Sequence, residues 1–381
     1  MELPLHGGQL RHIAARFGVP AVQLLDFSAN INPAGPPAAV LASLSASLED
    51  LSTLTAYPDL EEAELKRAIA RYASVRAENV AVANGFVPLL DTALRVLGVR
   101  RCLLPAPAFV EYRKALDRAG VEVTAHPLPA EASFAYDITA MLSGDHDAIL
   151  LANPQNPSGV CHDAATLREL ASLAARKNMY VLLDEAFIDY IPEHSLSAAV
   201  DEFPNLIVFR SVTKFHGMPG LRVAYALASP ARIAALNQAL PPWPITTLAS
   251  RAVAAALEDK AYSAHSLEQN RVRAELLRGD LAGLGLTLYP SAANFFLFCL
   301  PPGIDADWFW QHMIAAHGVV LRACGNYEAL PAEHFRVAIR GEGDNARLVR
   351  ALGQALAVMQ DKPGKREDHH HRECQPDDAP R

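Results

Sequence analysis

No apolar run in this 381-residue sequence reaches the roughly 18 residues that a membrane span requires. There is no basic excess either. The 34 lysines and arginines face 42 aspartates and glutamates, a net charge of −8, and the isoelectric point is near 6.0. Binding a phosphate backbone needs a basic surface, so nucleic acid is not an expected partner. Cysteine is scarce: Cys102, Cys161, Cys299, Cys324 and Cys374 are odd in number and widely scattered. That pattern argues against a disulfide framework and for reduced cytosolic thiols. The opening MELPLHGGQLRH lacks a basic stretch followed by an apolar segment and a cleavage site, so a cytoplasmic protein is expected. No internal repeat is visible. What remains is a chain with 51% hydrophobic residues, long enough to bury a large core in two domains without metals or disulfides.

Leu10, Ile13, Ala14 and Phe17, at i, i+3, i+4 and i+7, predict a first helix that Gly18 ends. Residues 26–37 (DFSANINPAGPP) are too rich in turn formers for a regular element and read as a loop. From about Tyr57 helices alternate with short apolar strands. Asp59 and Glu62 suggest a capping box, opening a helix with Leu65, Ala68, Ile69 and Tyr72 inward. Strands are predicted at residues 80–83, 102–104, 148–152, 180–183, 206–209 and 223–227, with a helix carrying Leu167, Leu170, Ala171 and Ala174 between the third and fourth. Continuous apolar runs suit strands covered on both faces of a mainly parallel sheet, whose ligand site lies at the carboxyl ends. Beyond Pro230 come long helices, strands at 286–288, 295–298, 319–322 and 335–339, and a last helix presenting Leu348, Ala351, Leu352 and Ala355. The expected organisation is an N-terminal segment (1–50) that belongs with the small domain and the site, and a large α/β domain (51–230). A smaller α+β domain (231–360) follows, then a charged, disordered tail (361–381).

Several polar residues fall at successive strand ends: Asn156 in NPQNPSG, Asp184 in VLLDEAF, then Ser211, Thr213, Lys214 and Arg222 in RSVTKFHGMPGLR. Singly, each has an ordinary explanation. An Asp after a strand commonly caps a helix, a lone Lys is commonly solvated, and Asn-Pro marks turns. Their recurrence in order along one sheet outweighs these readings. A pyridoxal 5′-phosphate site would use all of them. A lysine forms the Schiff base, and a carboxylate keeps the pyridine nitrogen protonated. An Asn donates to the phenolic oxygen, and hydroxyls with an arginine hold the phosphate. Gly85 and Phe86, at a strand-to-helix junction, fit a second phosphate support through their amides. Phe109 in PAPAFVEY is placed to stack on the ring, although core packing explains it almost as well.

With these motifs in view, the sequence resembles the aspartate-aminotransferase-like, fold type I superfamily of pyridoxal-phosphate enzymes over roughly residues 5–358. Within it, His6–Gly8 (HGG), LLDFSANINPAGPP, LRACGNYEAL and HFRVAIR resemble the threonine-phosphate decarboxylases of cobalamin synthesis. Histidinol-phosphate aminotransferases are the alternative. The resemblance implies Lys214 as the catalytic Schiff-base lysine and Asp184 as partner of the pyridine nitrogen. It also implies Asn156 on the phenolic oxygen and Ser211, Thr213 and Arg222 on the phosphate. Tyr57 would reach the phosphate of a neighbouring subunit in a homodimer. Substrate contacts would come from His6, Gly7, Asn30, Asn156, Arg322 and Arg336. Many aminotransferases of this group carry a second phenolic-oxygen donor, a tyrosine, where this chain has Phe187. That departure favours the decarboxylase. A substrate bearing both carboxylate and phosphate needs two cationic anchors, and Arg322 and Arg336 can supply them as rigid forks. Either could instead be a surface charge or half of a structural ion pair.

A third reading is a non-catalytic relative serving as the effector domain of a transcription regulator. Lys214 and its partners being present, with no basic helix-turn-helix ahead of the fold, weighs against it. In the tail, His369, His370, His371 and Cys374 offer soft ligands, but adjacent histidines do not easily face one ion. No metal site is expected.

Overall fold

The computed structural model describes residue 4 and residues 6–360. A two-residue strand, β1 (Leu25–Asp26), precedes the main frame. Then β2 (Val80–Ala83), β3 (Arg101–Ala106), β4 (Glu122–Pro127), β5 (Ala148–Ala152), β6 (Tyr180–Asp184), β7 (Leu206–Ser211) and β8 (Ala224–Leu227) form one sheet. Its order is β2-β8-β7-β6-β5-β3-β4. Strands β3 to β7 pair in parallel, and β8 runs antiparallel to both β2 and β7. Alternate strand residues feed two cores. Leu103, Ile149, Leu151, Val181, Leu183 and Val208 pack on one side of the sheet. Cys102, Leu104, Leu150, Leu182, Ile207 and Phe209 pack on the other. Strands buried on both faces have no polar side to display, which is why they read as continuous apolar runs. At about 1.5–3 kcal/mol for each fully buried Val, Leu, Ile or Phe, this two-sided burial is the main term holding the sheet.

The helix Ala164–Arg176 shows how a covering element is specified. Asp163 accepts the amide of Thr166 and caps its start, and Leu167, Leu170, Ala171 and Ala174 form its buried stripe. Strands β9 (Thr287–Leu288), β10 (Phe295–Cys299), β11 (Val319–Val320), β12 (Arg322–Ala323) and β13 (His334–Ala338) follow. Four of them build a second, antiparallel sheet in the order β12-β13-β10-β9. Strand β11 pairs in parallel with β1 instead. A third core joins Ile13, Leu24 and Phe27 to Phe296, Trp310 and Phe335. Ile13, Leu24 and Phe27 therefore pack with the C-terminal sheet, but the expected boundaries do not hold: Val40 of the helix Ala38–Glu49, together with Ile233, Leu236, Ile245, Val253 and Leu257, belongs to the cores of the large sheet. No helix among the described residues is long and apolar enough to cross a membrane.

Several elements differ from the sequence reading. The capping box at Asp59 does not form. Asp59 accepts the amides of Glu61 (3.1 Å) and Ala63 (2.8 Å), while Glu62 takes a left-handed φ of 50° and the helix begins at Ala63. The single strand expected at 319–322 is split. The carbonyl of Leu321 accepts the indole N–H of Trp310 (3.0 Å), so β11 and β12 pair with different strands. Two strands went unread: β1, which starts the stretch taken as loop, and β4, an edge strand without a buried face. Cys102, Cys161, Cys299 and Cys324 are free thiols. His369, His370, His371 and Cys374 lie outside the described residues.

Candidate active site

The carboxyl ends of β3, β5, β6 and β7 make one edge of the large sheet. Because β8 is antiparallel, the residues ahead of it reach the same edge, and this is how Arg222 joins the others. Every residue predicted for the site except Tyr57 lines one cavity of about 440 Å³ there. Tyr57 lies elsewhere, 81% exposed and stacked on Trp243 with ring centroids 4.6 Å apart.

Asp184 closes β6. Its Oδ1 accepts the amide of Ala186 (2.9 Å) and its Oδ2 accepts the hydroxyl of Tyr112 (2.5 Å). Burial pushes the Asp184 carboxyl up to about 6, against those two donors and the charge of Lys214. Lys214 follows β7, and its backbone carbonyl accepts the amide of Asn32 from the N-terminal segment (3.0 Å). Burial, then the charges of Arg336 and Arg222, bring the Lys214 ammonium down to about 8, with Asp184 acting in the opposite direction. The two pKa values are therefore drawn toward neutrality, as burial disfavours the charged form of each.

A cradle of donors lies beside them. The hydroxyls of Ser211 and Thr213 are 2.9 Å apart. Gly85 caps the helix Phe86–Leu97 with a φ of 93°. A Cβ at that glycine would lie 3.0 Å from Nη2 of Arg222, so the guanidinium packs directly against the helix entrance. Hydroxyls, an arginine and a helix N-terminus together suit a phosphate dianion.

The far side is cationic. Arg336 gives one N–H to Oδ1 of Asn156 (2.5 Å) and another to the carbonyl of Ser28 (3.2 Å). Tyr327 donates to the same Asn156 oxygen (3.3 Å), which leaves the Asn156 amide nitrogen as its donor toward the cavity. Arg322 donates to the carbonyl of Pro4 (3.2 Å) and to Oδ1 of Asn326 (2.9 Å). His6 contacts Glu111 through Nε2 at 3.0 Å; burial lowers its pKa, and Glu111 opposes the shift. Gly7 lies so close to Ser28 that a Cβ would fall 2.1 Å from its carbonyl oxygen, so only glycine lets this segment reach the cavity. Phe187 supplies an apolar wall against Phe295. Among the described residues, no cluster of three or more His, Cys, Asp or Glu could hold a metal.

Sequence reasoning missed Tyr112, Tyr327 and Glu111. A signal existed for Tyr112: it stands three residues after Phe109, and that spacing brings side chains together on a helix.

The chain belongs to the family of class I and II aminotransferases, whose profile matches residues 22–353. It is a pyridoxal-phosphate-dependent enzyme with the fold type I architecture. It is similar to threonine-phosphate decarboxylase of Salmonella typhimurium, 34% identical over 92% of this chain and 96% of that one. It is also similar to histidinol-phosphate aminotransferase 2 of Ralstonia nicotianae, 32% identical over 92% of this chain and 94% of that one. Among solved structures, histidinol-phosphate aminotransferase from Clostridium acetobutylicum has a TM-score of 0.82 at 26% identity, covering 88% of this chain and all of that one.

The cavity fits the cofactor. Its lining comprises a lysine with a lowered pKa, a sealed carboxylate and a phosphate cradle. Asn30, only 2% exposed, has neither side-chain amide atom hydrogen-bonded. An unmet buried amide costs about 1–3 kcal/mol, a penalty that a bound polar ligand would relieve.

Proposed function

We propose that the chain decarboxylates O-phospho-L-threonine to (R)-1-aminopropan-2-yl phosphate, a step of cobalamin synthesis. In this reading Lys214 carries the cofactor, Asp184 pairs with its pyridine nitrogen, and the Asn156 amide donates to its phenolic oxygen. Ser211, Thr213, Arg222 and the amides at Gly85 and Phe86 bind its phosphate, and Phe109 stacks on its ring. The bound cofactor supplies an electron sink for the pair that departing carbon dioxide leaves behind. The protein decides which bond is aligned with that sink. Arg322 and Arg336 would grip the substrate's phosphate and carboxylate, assisted by His6, Gly7 and Asn30, and so orient the carboxylate for loss. With a pKa of about 8, Lys214 can return a proton to the substrate's α-carbon.

The observation that carries this reading is the pair of buried arginines, Arg322 and Arg336, on the cavity in addition to Arg222. A substrate with two anionic groups uses both. Phe187, without a hydroxyl, adds support. The second reading, an aminotransferase acting on histidinol phosphate, is favoured by the comparable similarity to the Ralstonia relative. Its phosphorylated substrate has no carboxylate for the second arginine, which would then serve the keto-acid acceptor that transamination also needs.

The test is incubation with O-phospho-L-threonine and no keto acid, following carbon dioxide and the cofactor spectrum together. Sustained gas release with an unchanged spectrum is expected. No gas, with the cofactor converting to its amine form on phosphothreonine or histidinol phosphate, would overturn the reading.

The same reading makes the enzyme a homodimer in which Tyr57 reaches the phosphate of the partner subunit's cofactor. Its exposure, outside its own cavity, is what supports this.

A further inference from the structure

We propose that Tyr112 is a positioning residue for the cofactor: its hydroxyl, donated to Asp184 Oδ2 at 2.5 Å, keeps that carboxylate ionised and oriented so that the pyridine nitrogen retains its proton. The inference is independent of which substrate the enzyme takes.

A carboxylate sealed in protein tends to take up a proton, because burial disfavours the charged form. Asp184 resists with two fixed donors, one on each oxygen: the Ala186 amide at 2.9 Å and the Tyr112 phenol. Burial raises its pKa, and Tyr112 is the largest influence in the opposite direction. The phenol itself stays protonated, since burial and the neighbouring carboxylate push its pKa well up. It is therefore a permanent donor. Among the described residues Asp184 is the only hydrogen-bond partner of this hydroxyl.

The tyrosine is also held in place. Its ring is fully buried, edge-on to Phe109 at 5.6 Å and tilted against Phe86 at 5.7 Å. Phe109 precedes the helix Val110–Arg118, and Tyr112 stands in that helix's first turn. One helix start thus presents a wall for the cofactor ring and a clamp on the carboxylate that meets the ring nitrogen. A tyrosine needed only for packing would do as well as phenylalanine.

Tyr112→Phe keeps the ring packing and removes the donor. Holoenzyme reconstituted with cofactor carrying nitrogen-15 in the ring reports N1 protonation directly by NMR. In the parent protein a pyridinium resonance is expected; in Tyr112→Phe it should move toward the neutral pyridine position. Cofactor affinity should fall about tenfold or more, the scale of one hydrogen bond to a charged group. The variant-to-parent ratio of dissociation constants should grow as pH falls from about 8 to about 6, because the unclamped Asp184 protonates at higher pH. Phe109→Leu is the control: it weakens ring contact but should leave the N1 resonance in place. An unchanged N1 resonance in Tyr112→Phe, or a ratio that is flat with pH, overturns the proposal.

Discussion

Lys214 is both the most legible residue in the sequence and the one whose chemistry is set furthest from it. Its motif identifies it, but its acidity depends on burial and on Arg336 and Arg222, which stand 122 and 8 positions away. In the proposed reading, the neutral amine is the form that captures the cofactor. Because the folded-state pKa is lowered to about 8, that form gains as pH rises through about 8 and is minor below it. Incorporation of cofactor into apoprotein should therefore quicken with pH and level off above that point. Arg336→Met removes a cation that favours deprotonation, so the midpoint should move to higher pH. Stopped-flow absorbance across the pH range checks this, and an identical midpoint in the two proteins would refute it. Asn30 and Asn156 were also legible, by resemblance. Tyr112 was legible only as a neighbour of Phe109 three residues earlier; nothing local marks that its hydroxyl meets a carboxylate 72 residues later.

At the scale of elements, strands buried on both faces and stripe-bearing helices were read correctly, since one periodicity decided each. The failures at Leu321 and Asp59 came where a side chain claimed a backbone group that the pattern had assigned otherwise. A tryptophan side chain took the carbonyl of Leu321 and divided a strand, and Asp59 served two amides in place of a capping box. The junction at Gly85 belongs to this scale, because the turn between β2 and its helix requires a positive φ and a close approach to Arg222. Gly85→Ala should cost about 1–3 kcal/mol of stability through backbone strain. It should also weaken cofactor binding by displacing the guanidinium. Denaturant unfolding of apoprotein and a cofactor titration measure the two effects. Parent values in both would show that the junction tolerates a side chain.

At the scale of the whole molecule, the proposed second copy has a matching surface. Leu48, Leu51, Leu54, Tyr57 and Leu60 are all exposed within a short stretch of chain, and Trp243 joins them through its stack on Tyr57. Apolar side chains gathered in this way mark an interaction surface. If this surface joins the proposed homodimer, the double change Leu51→Asp and Leu54→Asp should shift the sedimenting mass to that of a monomer. Cofactor retention should fall with it, since Tyr57 would no longer reach the partner subunit. A double variant that sediments as a dimer would place the interface elsewhere.

From sequence alone came the class of fold, the cofactor and the residues proposed to meet it, because periodicity, turn chemistry and contiguous motifs are local properties. The tertiary structure decided what those residues are poised to do. It brought residues 6, 30, 109, 156, 184, 214, 322 and 336 around one cavity. It also placed β8 antiparallel so that Arg222 faces Gly85, and it drew the pKa values of Lys214 and Asp184 toward neutrality by burying them together. Desolvation and charge coupling depend on distances through space, which the order of residues along a chain does not contain.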